Sequence, residues 1–174
     1  MNVAEYIFKT LEDYGVEDVF YLPGGGCLFL VDALSKSKIN PVCMAHEHAA
    51  AIATEAYAQY KNDIGVLLIT TGPGVTNSLT GVTAAFLDSI PIIVLSGQVP
   101  TNHRAFNYGV RQYGIQEVPT EQLVKSIVKK YFYIGDIKKI TMISEAINLA
   151  TSGRPGPCWV DIPLNVQKME VEYK

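Results

Sequence analysis

Apolar positions along this chain follow two rhythms that take turns. Val3, Ile7, Leu11 and Tyr14 recur at intervals of three and four, so they share one face of an amphipathic helix, and Gly15 is placed to end it. Residues 64–70 and 91–96 are instead short, continuous apolar runs, the pattern of strands buried on both faces of a sheet. Residues 18–22, 41–45 and 157–162 read as further strands and 128–134 as an edge-like one. Residues 28–34, 46–60, 75–87, 120–126 and 136–151 read as helices, with Thr120 placed to cap the fourth of them. Strand and helix alternate along the whole length. That predicts an α/β three-layer sandwich, with a mostly parallel sheet of about six strands and helices on both faces. One domain is expected over residues 1–166, and the polar stretch 167–174 reads as a C-terminal boundary or linker.

Composition narrows the class without naming a function. The chain has 174 residues, 48% apolar and 18% charged, which suits one globular domain with its own core. A net charge of −3 offers no basic surface to nucleic acid or to an anionic membrane. The longest apolar runs, such as residues 65–69 and 90–95, are far too short to span a bilayer, and the first residues lack a signal-peptide pattern. A soluble, cytoplasmic protein is the expectation. Cys27, Cys43 and Cys158 show no CxxC or Cys/His spacing, so neither a metal site nor a disulfide framework is expected. They read as small buried side chains in a reducing compartment.

Candidate chemistry collects at the carboxyl ends of the expected strands, where ligands bind in open parallel sheets. Pro23-Gly24-Gly25-Gly26, His46-Glu47, Thr70-Thr71-Gly72-Pro73-Gly74 and Gly97-Gln98 all fall there. Each has an ordinary structural reading beside the functional one. The triple glycine is either a tight turn or a place where a flat ligand approaches the backbone. Strand, Gly72-x-Gly74 and helix look like a dinucleotide-binding turn, but Asn77 stands where the third glycine belongs and no acidic residue closes the next strand. Glu47, at the start of an Ala-rich helix, is either a charge favoured by the helix dipole or a carboxylate held ready for chemistry. His46 and His48 are two apart on a helix and do not converge as metal ligands. The long segment 97–118 is the kind of loop that carries function.

Taken in order, these clusters carry a resemblance. Tyr21-Leu22-Pro23-Gly24-Gly25, Ala45-His46-Glu47-His48-Ala49-Ala50, Thr71-Gly72-Pro73-Gly74-Val75-Thr76-Asn77 and Ala85-Phe86-Leu87-Asp88-Ser89-Ile90-Pro91 are followed by three more motifs. Those are Ser96-Gly97-Gln98-Val99, Gln116-Glu117-Val118 and Gly153-Arg154-Pro155-Gly156-Pro157. The set resembles the N-terminal pyrimidine-binding domain of thiamine-diphosphate-dependent enzymes, most closely the acetolactate synthase-like group, and it runs nearly the full chain.

The resemblance implies a part in a decarboxylase or carboligase acting on a 2-oxo acid. In the family the counterpart of Glu47 hydrogen-bonds N1′ of the aminopyrimidine and so promotes loss of the thiazolium C2 proton. Pro23, Gly24, Pro73, Asn77 and Gln98 would line the cofactor's pyrimidine half. Gln116 matches a glutamine near the reaction centre, and Lys129 matches a lysine at the substrate entrance. Two positions depart from the acetolactate synthase pattern: His48 stands for a glutamine, and Ile115 for an aromatic residue. The family holds Mg2+ and the diphosphate on a separate domain marked by Gly-Asp-Gly, a motif absent from this chain. FAD, carried by a middle domain in acetolactate synthases, is possible but finds no support in these residues. The resemblance further implies a diphosphate-binding domain of the same or another chain as partner, and a homodimer with the Ala-rich face of 46–60 at its interface. The chain then reads as an excised domain or as one subunit of a split enzyme. A non-catalytic dimerisation or regulatory module of the same fold is the rival.

Overall fold

The computed structural model describes residues 1–173. Six strands form one sheet in the order β2-β1-β3-β4-β6-β5, and every pair is parallel. They are β1 (Asp18–Tyr21), β2 (Asn40–Cys43), β3 (Gly65–Ile69), β4 (Ile92–Gln98), β5 (Lys130–Tyr133) and β6 (Cys158–Pro163). The helices are α1 (Val3–Asp13), α2 (Leu28–Lys36), α3 (Glu47–Lys61), α4 (Pro73–Asp88), α5 (Thr120–Val124), α6 (Met142–Thr151) and α7 (Leu164–Gln167). The expected three-layer α/β sandwich is the observed one.

Strand periodicity divides the core in two. Val66, Leu68, Ile93, Leu95 and Val160 face a cluster built from α1, α2 and α6. Leu67, Ile69, Ile92, Val94 and Trp159 alternate with them and face α3, α4 and α5. β3, β4 and β6 are buried at every position, which is why their sequences read as continuous apolar runs. A Cβ placed on Gly81 of α4 would lie 2.6 Å from Ala51 Cβ and 2.7 Å from the Ile52 nitrogen, so α3 and α4 touch backbone to backbone there.

Four local expectations change. Thr120 is not the cap of α5; Pro119 holds that place without a side-chain bond, and the Thr120 hydroxyl turns inward to accept from Gln98 Nε2 at 3.2 Å. The helix expected from residue 136 starts instead at Met142, because the Asp136 side chain accepts from Lys138 N and closes a separate turn, Ile137–Lys139. Cys43 is exposed, since β2 is an edge strand; Cys27 and Cys158 are buried as expected. Gln167, expected at the start of a polar tail, is fully buried and donates to the carbonyls of Gly26 and Ile162 at 2.7 and 2.8 Å. Beyond it the chain lies along α1, with Val3 N bonded to Met169 O and Val171 N to Met1 O. Lys174, the end of that expected segment, lies outside the described residues. Among the described residues no helix is long and apolar enough to cross a membrane.

Candidate active site

The strand order sets the carboxyl ends of β2, β1, β3 and β4 side by side. The chain leaves β1 toward β2 on one side and later returns to β3 on the other, which makes the β1/β3 boundary a topological switch point. There the turn after β1 lies hard against the end of β3. A Cβ at Gly24 would come within 2.4 Å of Thr70 Cβ, and the Gly26 N–H donates to Thr70 Oγ1 at 3.0 Å. Only a residue without a side chain lets these two turns meet. Pro23 stays exposed, and Pro73 is exposed at the first position of α4, where its missing N–H costs nothing.

Glu47 is the first residue of α3. His46 caps the helix with Nδ1, which accepts the His48 N–H at 3.1 Å. The Glu47 side chain is 7% exposed, and Asn77 Nδ2 donates to its Oε2 at 3.0 Å. Asn77 is its one hydrogen-bond partner among the described residues. Glu47 is therefore a shielded carboxylate with an acceptor oxygen to spare, fixed by α3 and steadied by α4.

Gln98, at the end of β4, is built differently. It is wholly buried and its amide is fully used. Nε2 donates to Thr120 Oγ1 at 3.2 Å and to Asp161 Oδ2 at 2.9 Å. Oε1 accepts from Thr71 Oγ1 at 3.2 Å and from Val99 N at 2.8 Å. The opposite amide orientation would set NH2 against the Val99 N–H and oxygen against a carboxylate, so the network fixes this one. Asp161, fully buried on β6, also accepts from Ser96 Oγ at 2.7 Å and from Tyr131 OH at 2.8 Å, and Trp159 Nε1 donates to Ser96 Oγ at 2.7 Å. Burial pushes the Asp161 carboxyl above its ordinary range, against the pull of bonds from Gln98, Ser96 and Tyr131 and of the nearby Arg104 charge.

A cavity of about 350 Å³ opens here, with Gly26, Thr71, Gln98, His103, Ile115 and Gln116 in its wall. The structure thus gathers Pro23, Gly24, Pro73, Asn77 and Glu47 on neighbouring turns and brings Gln116 to the adjoining cavity. It leaves Gln98 with no free hydrogen-bonding group. Lys129 is not brought here. It precedes β5 at the amino edge of the sheet, where Nζ donates to the carbonyls of Leu149 and Ser152, at 2.5 and 2.6 Å, and caps the end of α6. Sequence reasoning missed Asp161 and named Thr71 only as part of a strand-end cluster, without its role beside Gln98. Asp161 carried a readable signal, a lone carboxyl inside an apolar strand run. Thr71 carried none, since its role depends on the amide across from it.

A parallel α/β domain with a shielded carboxylate beside the carboxyl ends of its strands fits a class of binding domain, and known proteins give the class its family. Residues 1–124 match the family model for the thiamine pyrophosphate enzyme N-terminal TPP binding domain. The chain is 38% identical over 167 residues to a chloroplastic acetolactate synthase of Arabidopsis thaliana, covering 95% of this chain and 24% of that protein. It is 40% identical over 175 residues to a probable acetolactate synthase large subunit of Methanocaldococcus jannaschii, covering 100% and 29%. Against the acetolactate synthase isozyme 3 large subunit of Escherichia coli it is 38% identical, covering 95% and 28%. The chain belongs to the thiamine-pyrophosphate enzyme N-terminal domain family, in its acetolactate synthase-like group. It spans about a quarter of the length of these relatives.

Proposed function

We propose that this domain holds the pyrimidine half of thiamine diphosphate in an enzyme that decarboxylates a 2-oxo acid or joins it to a second carbonyl compound. The observation that carries the reading is Glu47: shielded, at a helix N-terminus, with Asn77 as its one side-chain partner among the described residues. A carboxylate so placed accepts a hydrogen bond from a ring nitrogen and holds a proton there without water competing for it. Asn77 orients it through the bond to Oε2. The Gly24–Thr70 contact and the exposed rings of Pro23 and Pro73 leave flat, side-chain-poor surfaces suited to a heteroaromatic ring. When bound, thiamine diphosphate supplies the electron sink for the bond that breaks. In this reading Gln116 meets the 2-oxo acid, and Gln98 acts only through Thr71 and the loop it anchors.

Partners follow from what the residues leave out. Among the described residues no three His, Cys, Asp or Glu side chains gather to hold a metal. We assign Mg2+ and the diphosphate to a second domain, of the same or another chain, and FAD gains no support from these residues. The Ala-rich face of α3 is spent on α4 within the domain: Ala50, Ala51, Thr54 and Ala58 are buried. The opposite stripe of Ile52, Ala56 and Tyr60 is exposed, and it is the face we assign to a second copy or to the diphosphate unit.

The test is Glu47→Gln in the assembly of this chain with a diphosphate-binding unit. Carbon dioxide release from pyruvate falls by about a thousandfold if Glu47 works as described. Turnover close to wild type sinks the assignment and favours a non-catalytic module.

A further inference from the structure

The segment between β4 and α5 is gathered at one carboxylate. The Glu117 side chain, 6% exposed, accepts the Ala105 N–H on both oxygens at 2.8 and 2.9 Å. It also accepts the N–H groups of Tyr113 and Gly114 at 3.3 and 3.2 Å, and pairs with the Arg104 guanidinium at 3.4 Å. Ala105 and Gly114 are the two ends of a lobe whose tip stands in solvent. Phe106, beside the neck, is 90% exposed and contributes little to closing the lobe, while Tyr108 and Tyr113 stack within it at 4.1 Å. Hydrogen bonds to a carboxylate are about twice as strong as neutral ones, and here three amides from two chain segments converge on one. The next residues along, Ile115 and Gln116, line the 350 Å³ cavity. Gln116 has a positive φ of 57°, and its carbonyl lies against Gly72 at the start of α4.

We propose that Glu117 is a positioning residue. By pinching the neck of the 105–114 lobe, it sets Ile115 and Gln116 as a fixed wall of the cavity and so tunes the fit of the 2-oxo acid or of its acceptor. The proposal rests on the thiamine-diphosphate reading only for what the cavity receives. Glutamine is a poor stand-in at this position, because its NH2 would face N–H groups that need an acceptor.

Two variants remove the clasp from opposite sides. Glu117→Gln damages the acceptor. Ala105→Pro removes the donor that meets both oxygens; Ala105 opens a single helical turn, and Arg104 before it already has the extended backbone, φ −74° and ψ 128°, that proline requires of its neighbour. In this chain, amide exchange at Tyr113 and Gly114 should rise about tenfold or more in Glu117→Gln, with β3 and β4 amides unchanged. The amide resonances of Ile115 and Gln116 should move in both variants. In the assembly with a diphosphate-binding unit, KM for the 2-oxo acid should rise about tenfold while kcat stays within about threefold. Unchanged exchange at the neck overturns the clasp. Faster exchange with unmoved Ile115 and Gln116 resonances overturns its hold on the wall, as does a loss in kcat at constant KM. If Glu117→Gln does not fold, Ala105→Pro carries the resonance and KM tests alone. An unsubstituted assembly that never turns over a 2-oxo acid refutes the functional reading, and the exchange and resonance measurements still judge the clasp.

Discussion

Glu47 and Gln98 sit at two strand ends on the same face of the sheet, and they are built in opposite ways. Glu47 has one hydrogen bond and a spare acceptor oxygen. Gln98 has four hydrogen bonds and no exposure. A side chain whose capacity is spent inside the fold cannot also bind a ligand without breaking something. One that is shielded but only half-satisfied can. The contrast separates two roles that motif matching lumps together, a group left free to meet a ligand and a group that holds the frame still. It predicts opposite outcomes for substitutions three strands apart in the same sheet.

The largest expected effect is on the Glu47 side. Glu47→Gln should lower turnover by about a thousandfold while leaving the urea midpoint close to wild type, because only one hydrogen bond is altered. A large drop in stability would show that Glu47 belongs to the frame after all. On the Gln98 side the order reverses. Asp161→Ala leaves the Gln98 amide and the Ser96 and Tyr131 hydroxyls without their buried acceptor, and should cost about 3–5 kcal/mol in urea unfolding. Unfolding free energy within about 1 kcal/mol of wild type would mean that the network is replaceable and that Gln98 is held by packing alone.

Cys27 reports how dry the ground beneath the glycine turn is. It is fully buried, its Sγ contacts Gly24 O at 3.4 Å, and burial pushes the thiol up from 9.0 to about 11. The unfolded chain therefore gives up this proton first. The stabilisation is complete below pH 9.0 and is lost as pH rises toward about 11, a change of about 3 kcal/mol. Cys158, also raised to about 11 by burial, adds a step of the same sign. Urea midpoints at pH 8 and about 9.5, below the range where the buried tyrosines add their own step, should thus fall in the wild type and fall less in Cys27→Ala. An equal slope in both would mean that water reaches the thiol.

The sequence already carried the fold, because alternation and continuous apolar runs are consequences of a doubly covered parallel sheet. Pro23, Gly24 and Pro73 were legible as turn and helix-start residues, because such turns are local and their residue types are restricted by backbone geometry; the grouping of Glu47 with Asn77 came only from the family resemblance. What the sequence did not carry was long-range polar pairing. Thr120 looks like a cap until a glutamine 22 residues away claims its hydroxyl. Gln167 reads as the start of a tail until its amide is seen to close two backbone carbonyls. Lys129 fits a motif by position, yet its ammonium lies at the amino edge on the last carbonyls of α6. Each depends on which partner the fold brings near, and no periodicity encodes that.

The rigidity of the Glu47 corner can be probed from behind. Gly81→Ala would drive a methyl into the α3 backbone at Ala51 and Ile52, so α3 must shift outward. Overpacking of this kind typically costs about 1–3 kcal/mol. Because α3 carries Glu47 and α4 carries Asn77, the same shift should lengthen their contact and lower turnover by about tenfold or more, well beyond the loss expected from stability. Reduced stability with full turnover would show that Glu47 tolerates movement of its helix and that its placement is looser than the contact implies.

The smallest effect tests the cap. His46 Nδ1 serves the His48 N–H, and a helix cap of this sort is worth about 1 kcal/mol. His46→Ala should lower the unfolding free energy by about that much and loosen the first turn of α3, where Glu47 stands. His46→Asn restores an acceptor at the same place and should recover the stability. The two corners then diverge once more. Loss of the His46 cap at the Glu47 corner loosens the start of α3, so turnover should fall with the alanine variant and return with asparagine. Loss of the Thr120 hydroxyl in Thr120→Val takes one bond of four from Gln98 and should leave turnover nearly untouched, because three bonds still fix the amide. If Thr120→Val proves as harmful to turnover as His46→Ala, Gln98 is doing more than holding the frame.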